Sequence, residues 1–477
     1  MQHTPEDGRR RLLQLESGWW AAPADEGRRR TLPDPGAPME GWVRAEVPGH
    51  WADDPHLPDH VTDVLHRVEF SMDLPDPTER VWLVLDGIAG TADVWMDGDL
   101  LGDTDAPFVA HAFEITDTLA LHAERLVALD VSCPPRKGGR TRDLLGSLRA
   151  ANGGTPGGPW RSVRVERSGP VRLGATSLRP AGASHQRAQV RLRWSLDTLL
   201  PRTVTIRTTI SGPGTTTTDE RTVPLAAGLN RQESTIVVAD PVRWWPHALG
   251  TPDRYDVCVE VLLSDDDPER GETPVSDRVQ FRTGLRTVER DATGWRINGE
   301  LLFLQGIQLD DTVGERALDE RLDRAVAAGV DLVRVVGRPP SSTLLDLADE
   351  RGLLVWADLP VVGRQHRSTR SRAVRQARRI VANAAHHPAI ALWCCHDRAV
   401  LGADLLIGDR ALAGAVGTAH PDVPVLLRAP QPTTSVPQNA RRPKGFTQFV
   451  VAAPATSPDD LARVIGAARA HALQSTA

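Results

Sequence analysis

Residues 386 to 400 read HHPAIALWCCHDRAV. A histidine pair and Pro388 end one element, a short apolar run follows, and the run then surfaces into Cys394, Cys395, His396, Asp397 and Arg398. A strand that opens into polar side chains at its C-terminal end is the form a parallel α/β barrel gives its functional face. Working outward, FLQGI (303–307), VDLVRVV (330–336), LLVWADLP (353–360) and VPVLLRAP (423–430) are further short apolar runs of buried-strand type. Helical patterns lie between them. In ERALDERLDRAVAAG (315–329), Leu318, Leu322, Ala325 and Val326 recur at helical spacing and Gly329 is the stop. SSTLLDLADERG (341–352) has Ser caps and a Gly stop. SPDDLARVIGAARAHAL (457–473) opens with a Ser cap, a Pro at the first position and two acids in the first turn. Alternating strand and helix predicts a parallel sheet. The count of about six strands after residue 300 predicts a shortened barrel, because eight strand–helix units take roughly 250 residues.

Before residue 286 the period is two. WVRAEVP (42–48), VLHRVEFSMDL (64–74), RVWLVLDGI (80–88) and ADVWMDG (92–98) alternate and are punctuated by Gly, Pro and Asp. Asp97-Gly98 is a hairpin dipeptide suited to positive φ. The long Gly- and Arg-rich segment 133–160 reads as a functional or disordered loop. A second set follows, including QVRLRWSLDT, RTVTIRTTIS, STIVVAD, YDVCVEVLL and SDRVQFRTG, with TTTT (215–218) expected at a hairpin tip. Seven short alternating strands in about 115 residues predict an immunoglobulin-like sandwich. The expected architecture is a jelly-roll-like β-sandwich (1–170), an immunoglobulin-like β-sandwich (171–285) and a shortened TIM-like (β/α) barrel (286–477).

Composition is that of a globular protein, with 40% hydrophobic and 25% charged residues among 477. A formal charge of −6 gives no support for nucleic-acid binding. The N-terminus lacks the apolar stretch of a secretory signal, and no run approaches the ~18 apolar residues of a membrane span. Cys133, Cys258, Cys394 and Cys395 have no zinc spacing and read as free thiols. The expectation is a cytoplasmic protein with no cofactor, no metal, no nucleic-acid partner and no membrane, and with no protein partner identifiable.

VPGHW (47–51), DGIAGTADVWMDGDLLG (86–102) and GGPWRSVRV (157–165) resemble the sugar-binding sandwich of glycoside hydrolase family 2. WWPHALGTPDRYDV (244–257) is similar to that family's immunoglobulin-like domain, and FRTGLRTVERDATGWRINGELLFLQGIQLDD (281–311) to its entry into the barrel. VDLVRVVGRPPSSTLLDLADERGLLVWADLP (330–360) and HHPAIALWCCHD (386–397) resemble the β-mannosidase branch most. The resemblance runs nearly continuously from about 40 to 397, and the order of the motifs is more specific than any one of them.

The resemblance implies two carboxylic acids about 5 Å apart, one proton donor and one nucleophile. The pattern departs from this. Asp397 stands where the family has Asn, and Arg398 where it has the acid/base Glu. A guanidinium stays protonated to above about pH 12 and cannot deliver a proton to a leaving oxygen. In GFTQFVVAAP (445–454), Gln448 stands at the nucleophile position, and an amide is no glycosyl acceptor in this chemistry. Asp397 is one position early and one methylene short, and a misplacement of about 1 Å costs on the order of a hundredfold.

The remaining candidates each carry two readings. Arg334 is a sugar contact or a buried ion-pair member. Trp356 and Asp358 bind ligand, or pack and cap a helix. Asp310, with its neighbour Asp311, contacts a sugar hydroxyl or sits exposed in a turn. Trp393 floors a sugar pocket or is core, and His396 bonds a sugar or a loop. Arg398 near Arg334 would make the mouth more positive and favour acidic sugars or phosphate, unless it pairs with Asp358 or Asp397 and closes the pocket. The expected function is a β-mannosidase-like pseudoenzyme, inactive or impaired, that keeps a carbohydrate or glycoside ligand. The alternatives are an active exo-β-glycosidase of carbohydrate catabolism and a protein-interaction scaffold.

Overall fold

The computed structural model describes residues 10–58, 60–121, 125–133, 140–141, 144–151, 153–154, 156–263, 274–290, 295–302, 304–361, 364–365, 369–396, 403–426 and 450–452. The expected helix at 457–473 lies outside them. No described helix is long and apolar enough to cross a membrane.

The first part is a pair of antiparallel sheets. One has four strands in the order Arg11–Gln14, Val163–Ser168, Arg80–Leu85, His111–Glu114. The other has six, in the order Val43–Arg44, Trp20–Pro23, Asp63–Glu69, Leu126–Ser132, Thr91–Met96, Asp99–Thr104. The alternation does the work: Ala92, Val94 and Met96 are buried, while Thr91 and Asp93 face out. The hairpin falls at Asp97 (φ 48°) and Gly98 (φ 96°), two consecutive positive φ values as a two-residue turn requires. Asp97 Oδ1 also accepts the Leu126 N–H at 2.6 Å, which fixes the turn to the neighbouring strand.

Strand Val171–Ala183 opens the second sandwich. Its three-stranded sheet orders Val171–Ala183, Arg187–Thr198, Gly228–Ala239, and faces a four-stranded sheet ordered Thr215–Leu225, Arg202–Gly212, Tyr255–Leu263, Val275–Thr283. Thr215–Thr218 do not form the hairpin tip. They begin an edge strand, pairing with Thr209–Gly212, and the tip is Pro213-Gly214 with Gly214 at φ 79°. β-branched Thr suits an extended edge better than a turn, and polarity alone misplaced it. Arg10 ties the two sandwiches, meeting Glu166 at 2.9 Å and Asp277 at 2.6 Å.

After the antiparallel ribbon Val288–Arg290, Trp295–Ile297, Glu300–Leu302, the chain forms one six-stranded sheet in which every pairing is parallel. Its order is Val425–Leu426, Ile390–Cys394, Leu354–Asp358, Leu332–Val335, Gln305–Gln308, Val450–Ala452. Helices Glu315–Ala327, Ser342–Arg351, Arg370–Ala384 and Ala403–Ala419 connect the strands. The Ser cap predicted at 341 is formed: Ser341 Oγ accepts the Leu344 N–H at 3.1 Å. Leu318, Leu322 and Ala325 bury the first helix against the sheet.

The sheet's two faces pack differently. Val333, Val335, Val355 and Ala357 face the helices. Leu332, Leu354, Trp356, Leu392 and Cys394 face the other way, onto Trp244, Trp295 and Ile297. The helix-side cluster is continuous with the core of the first sandwich, so Leu83, Val94 and Leu129 belong to the same apolar body as Leu344 and Ile380. Segment 144–150 makes the joint. Ser147 N donates to the Gly337 carbonyl at 2.9 Å, and Ser147 Oγ contacts that of Val336. Gly146 (φ 62°) leaves no room for a side chain, because a Cβ there would lie 2.1 Å from the Gly337 oxygen.

The HHP junction is held from beneath. Asp349 accepts the His387 Nδ1 contact at 2.7 Å and the Ala389 N–H at 2.8 Å. Burial raises the Asp349 carboxyl to about 8 and lowers His387 to about 4. The pair therefore retains one proton through neutral pH, up to about 8. The raised Asp loses stabilisation as pH rises from 3.8 to about 8, whereas the lowered His gains it between about 4 and 6.5. The two offset below 6.5 and leave a net loss above it, at most about 1.4 kcal/mol per pH unit for one proton. Urea unfolding of the wild type should show stability falling from pH 6.5 to 8 more steeply than for Asp349→Asn. Parallel slopes would refute the shared proton.

Candidate functional site

The C-terminal ends of the parallel strands bring Arg334, Trp356 and Asp358 together. Parallel register sets Arg334 beside Trp356, and Asp358 one side-chain pair further along the same face. The Arg334 guanidinium makes a two-pronged contact with Asp358, Nε to Oδ1 at 3.2 Å and Nη2 to Oδ2 at 2.7 Å. Asp358 Oδ2 also accepts the Gly337 N–H at 2.8 Å. Arg334 lies 4.3 Å over the Trp356 ring, a cation–π contact that covers one face of the indole. All three side chains are buried, Asp358 completely. The Cys394 thiol is driven up in pKa by burial and by the Asp358 charge, and it donates to the His396 carbonyl at 3.2 Å.

Trp393 lies on the opposite, helix-facing side. The pairing of Leu354–Asp358 with Ile390–Cys394 is irregular between Val355↔Ile390 and Trp356↔Leu392, so Trp393 pairs with Ala357 rather than lying on the face of Trp356. It is fully buried, and its Nε1 donates to His420 Nδ1 at 3.2 Å. Burial lowers His420 to about 3, which leaves that nitrogen an acceptor. His396 is buried just beyond the strand end. Asp397, Arg398 and Gln448 lie outside the described residues.

Asp310 and Asp311 follow the first parallel strand. Arg338 binds both, at 2.9 Å to Asp310 and 2.5 Å to Asp311. Asp311 Oδ2 accepts the Ser341 N–H at 2.6 Å, and Asp310 accepts from the Thr312 N–H and hydroxyl at 3.1 and 2.8 Å. Burial acts to raise the Asp310 pKa, but Thr312 and Arg338 outweigh it and hold the carboxyl below its ordinary value. A cleft of about 1390 Å³ opens here between the first sandwich and the parallel unit. Its sandwich wall is made by Pro48, His50, Asp86, Phe108, Trp160 and Arg161. VPGHW, DGIAG and GGPWR hold most of these residues without marking them as a site; the signal in the sequence is polar or aromatic side chains beside glycines.

Among the described residues, Asp346, Asp349 and His387 form a group whose donor atoms lie within 4.8 Å of one another. Both oxygens of Asp349 are committed to His387 and Ala389, which suits a strut better than a metal ligand.

Residues 60–162 match the family model described as the glycosyl hydrolase 2 galactose-binding domain-like, and residues 171–286 match that of glycosyl hydrolases family 2. β-Mannosidase A of Emericella nidulans is 23% identical over 391 residues, which covers 67% of this chain and 41% of that protein. A β-galactosidase of Thermoanaerobacter pseudethanolicus is 25% identical over 356 residues, 69% of this chain and 44% of that one. In solved structures, a putative β-galactosidase from Bacteroides fragilis superposes with a TM-score of 0.74 at 22% identity, over 87% of this chain and 63% of that one. A β-D-mannosidase from Dictyoglomus thermophilum gives 0.71 at 19%, over 89% and 58%. The fold is that of a multidomain glycosidase. The chain belongs to glycoside hydrolase family 2. It spans about two fifths of the length of the curated relatives it matches.

Removing one member of a buried pair strands the other charge, which costs about 3–5 kcal/mol. Arg334→Met and Asp358→Asn should each lower unfolding stability by that order, and the double variant by less than their sum. Losses below about 1 kcal/mol in both singles would mean that the pair is not a structural plug.

Proposed function

We propose that this protein is a β-mannosidase-like member of its family that binds carbohydrate without hydrolysing it. What carries the reading is the resemblance described above, which sets Arg398 and Gln448 at the positions of the two catalytic glutamates. On this reading the parallel sheet is the opening part of a (β/α) barrel, and its mouth has lost the donor and the nucleophile together. The described carboxylates at the strand ends support it. Asp358 is committed to Arg334 and Gly337, and Asp310 and Asp311 are committed to Arg338. A proton donor needs a raised pKa and a free path to the leaving oxygen, and Asp310 is held low.

The glycosidase names of its relatives favour a sugar as the ligand. The cleft beside Asp310 offers the room for one. Purified protein should give no turnover of nitrophenyl β-mannoside, β-galactoside or β-glucuronide, and Arg398→Glu should not restore any, because Gln448 still cannot accept a glycosyl group. Steady turnover that disappears in Asp397→Asn would establish the active exo-β-glycosidase instead.

A further inference from the structure

Arg161 is the odd charge in the cleft. Its neighbours are all satisfied: Arg164 contacts Asp86 and meets Glu166 at 2.9 Å, and Arg338 takes Asp310 and Asp311. The Arg161 guanidinium has no hydrogen-bond or ion-pair partner among the described residues. Asp86 and Asp311 are near enough to favour its charge but do not reach ion-pair distance, and burial pulls its pKa below the ordinary value. A half-buried cation without a carboxylate keeps its N–H donors available to a ligand that enters the cleft.

Its position is built. The guanidinium lies 4.4 Å over the Trp160 ring and 5.9 Å from that of Phe108. Trp160 is fixed by donating Nε1 to the Pro107 carbonyl at 2.8 Å, and Phe108 meets it edge-on at 5.3 Å. His50 stacks on Trp160 at 6.2 Å and 11°, and its buried Nδ1 has no hydrogen-bond partner among the described residues. Gly87 lies directly beneath, since a Cβ there would come within 3.0 Å of Arg161 Cδ and 2.8 Å of Trp160 Nε1. The cation–π contact holds the guanidinium against Trp160 and spends none of its N–H donors on the described residues. The donor edge of a guanidinium matches the spacing of two oxygens on a carboxylate or phosphate.

We infer that Arg161 is the anchor of an oxyanion site on the sandwich side of the cleft, and that it takes a saccharide bearing a carboxylate or a phosphate. The saccharide part of this inference rests on the carbohydrate-binding reading above; the oxyanion part does not. Asp86 and Asp311 oppose an anion here and Arg338 favours one, so the Arg161 fork carries the recognition and binding weakens with salt.

Calorimetric titration of the full chain with glucuronate, glucose 6-phosphate, inorganic phosphate and methyl β-mannoside tests it. The two anionic sugars should bind more tightly than methyl β-mannoside and lose affinity in high salt. Arg161→Gln should weaken them at least tenfold and leave the thermal midpoint near that of the wild type. Arg161→Lys should recover phosphate-bearing ligands better than glucuronate, because it keeps the charge and loses the fork. Should Arg161→Gln fail to fold, Arg161→Met, which keeps an aliphatic stem over Trp160 and removes the charge, supplies the same comparison. Binding of methyl β-mannoside equal to that of the anions, or anion binding indifferent to both variants, would overturn the Arg161 site and leave the carbohydrate reading standing. Phosphate and anionic sugars binding alike, with no contribution from the sugar ring, would keep the oxyanion site and overturn the saccharide part. No binding by any of the four would overturn both.

Discussion

The parallel unit hangs on how residues 386–390 are gripped. Arg286 is buried and donates to the carbonyls of Pro388 and Ile390. Burial lowers its pKa to about 10, so it still carries its charge at neutral pH. On the far side Asp349 takes His387 and the Ala389 N–H, and the Asp349 carbonyl accepts Trp244 Nε1 at 2.9 Å. Thr283 Oγ1 donates to the His386 carbonyl at 2.6 Å. Contacts from the second sandwich, from its exit loop and from a helix thus converge on five residues. A peptide this constrained fixes where strand Ile390–Cys394 begins, and hence what each of its side chains faces.

Much of the fold was legible because its periods are clean. Thr91–Met96 alternates, Leu318, Leu322 and Ala325 recur at helical spacing, and Ser341 and Gly352 bound a helix as their chemistry demands. Legibility failed where residue type and pattern disagree. Thr215–Thr218 are polar like a turn and β-branched like a strand, and pairing with Thr209–Gly212 decided for the strand. The run AIALW gives no clue to facing, because a strand apolar on both sides has no polar phase to read. The irregularity near Ala391 therefore moved Trp393 to the helix side unannounced.

The candidate site was readable as chemistry and unreadable as contact. Arg334 and Asp358 were each picked out as strand-end residues, but nothing in a separation of 24 residues says that one neutralises the other. Arg161 is the reverse case. In a chain with 56 basic residues, a single Arg draws no notice, and its lack of a partner is a property of space alone. Absences of this kind come into view only when every neighbouring carboxylate has been accounted for.

The apolar body shared by the first sandwich and the helix side of the parallel unit has a consequence for inheritance. Leu145 and Leu148 are buried in that body, and Ser147 hydrogen-bonds across it to Gly337, so either half taken alone would expose a wet, unpaired seam. Genetic exchange that replaced one half would need a matching seam in the other, down to the bare glycine at 146. A chain that keeps the parallel unit is therefore bound to keep the sandwich with it, whatever happens at the strand ends, because the hydrophobic interior is joint property.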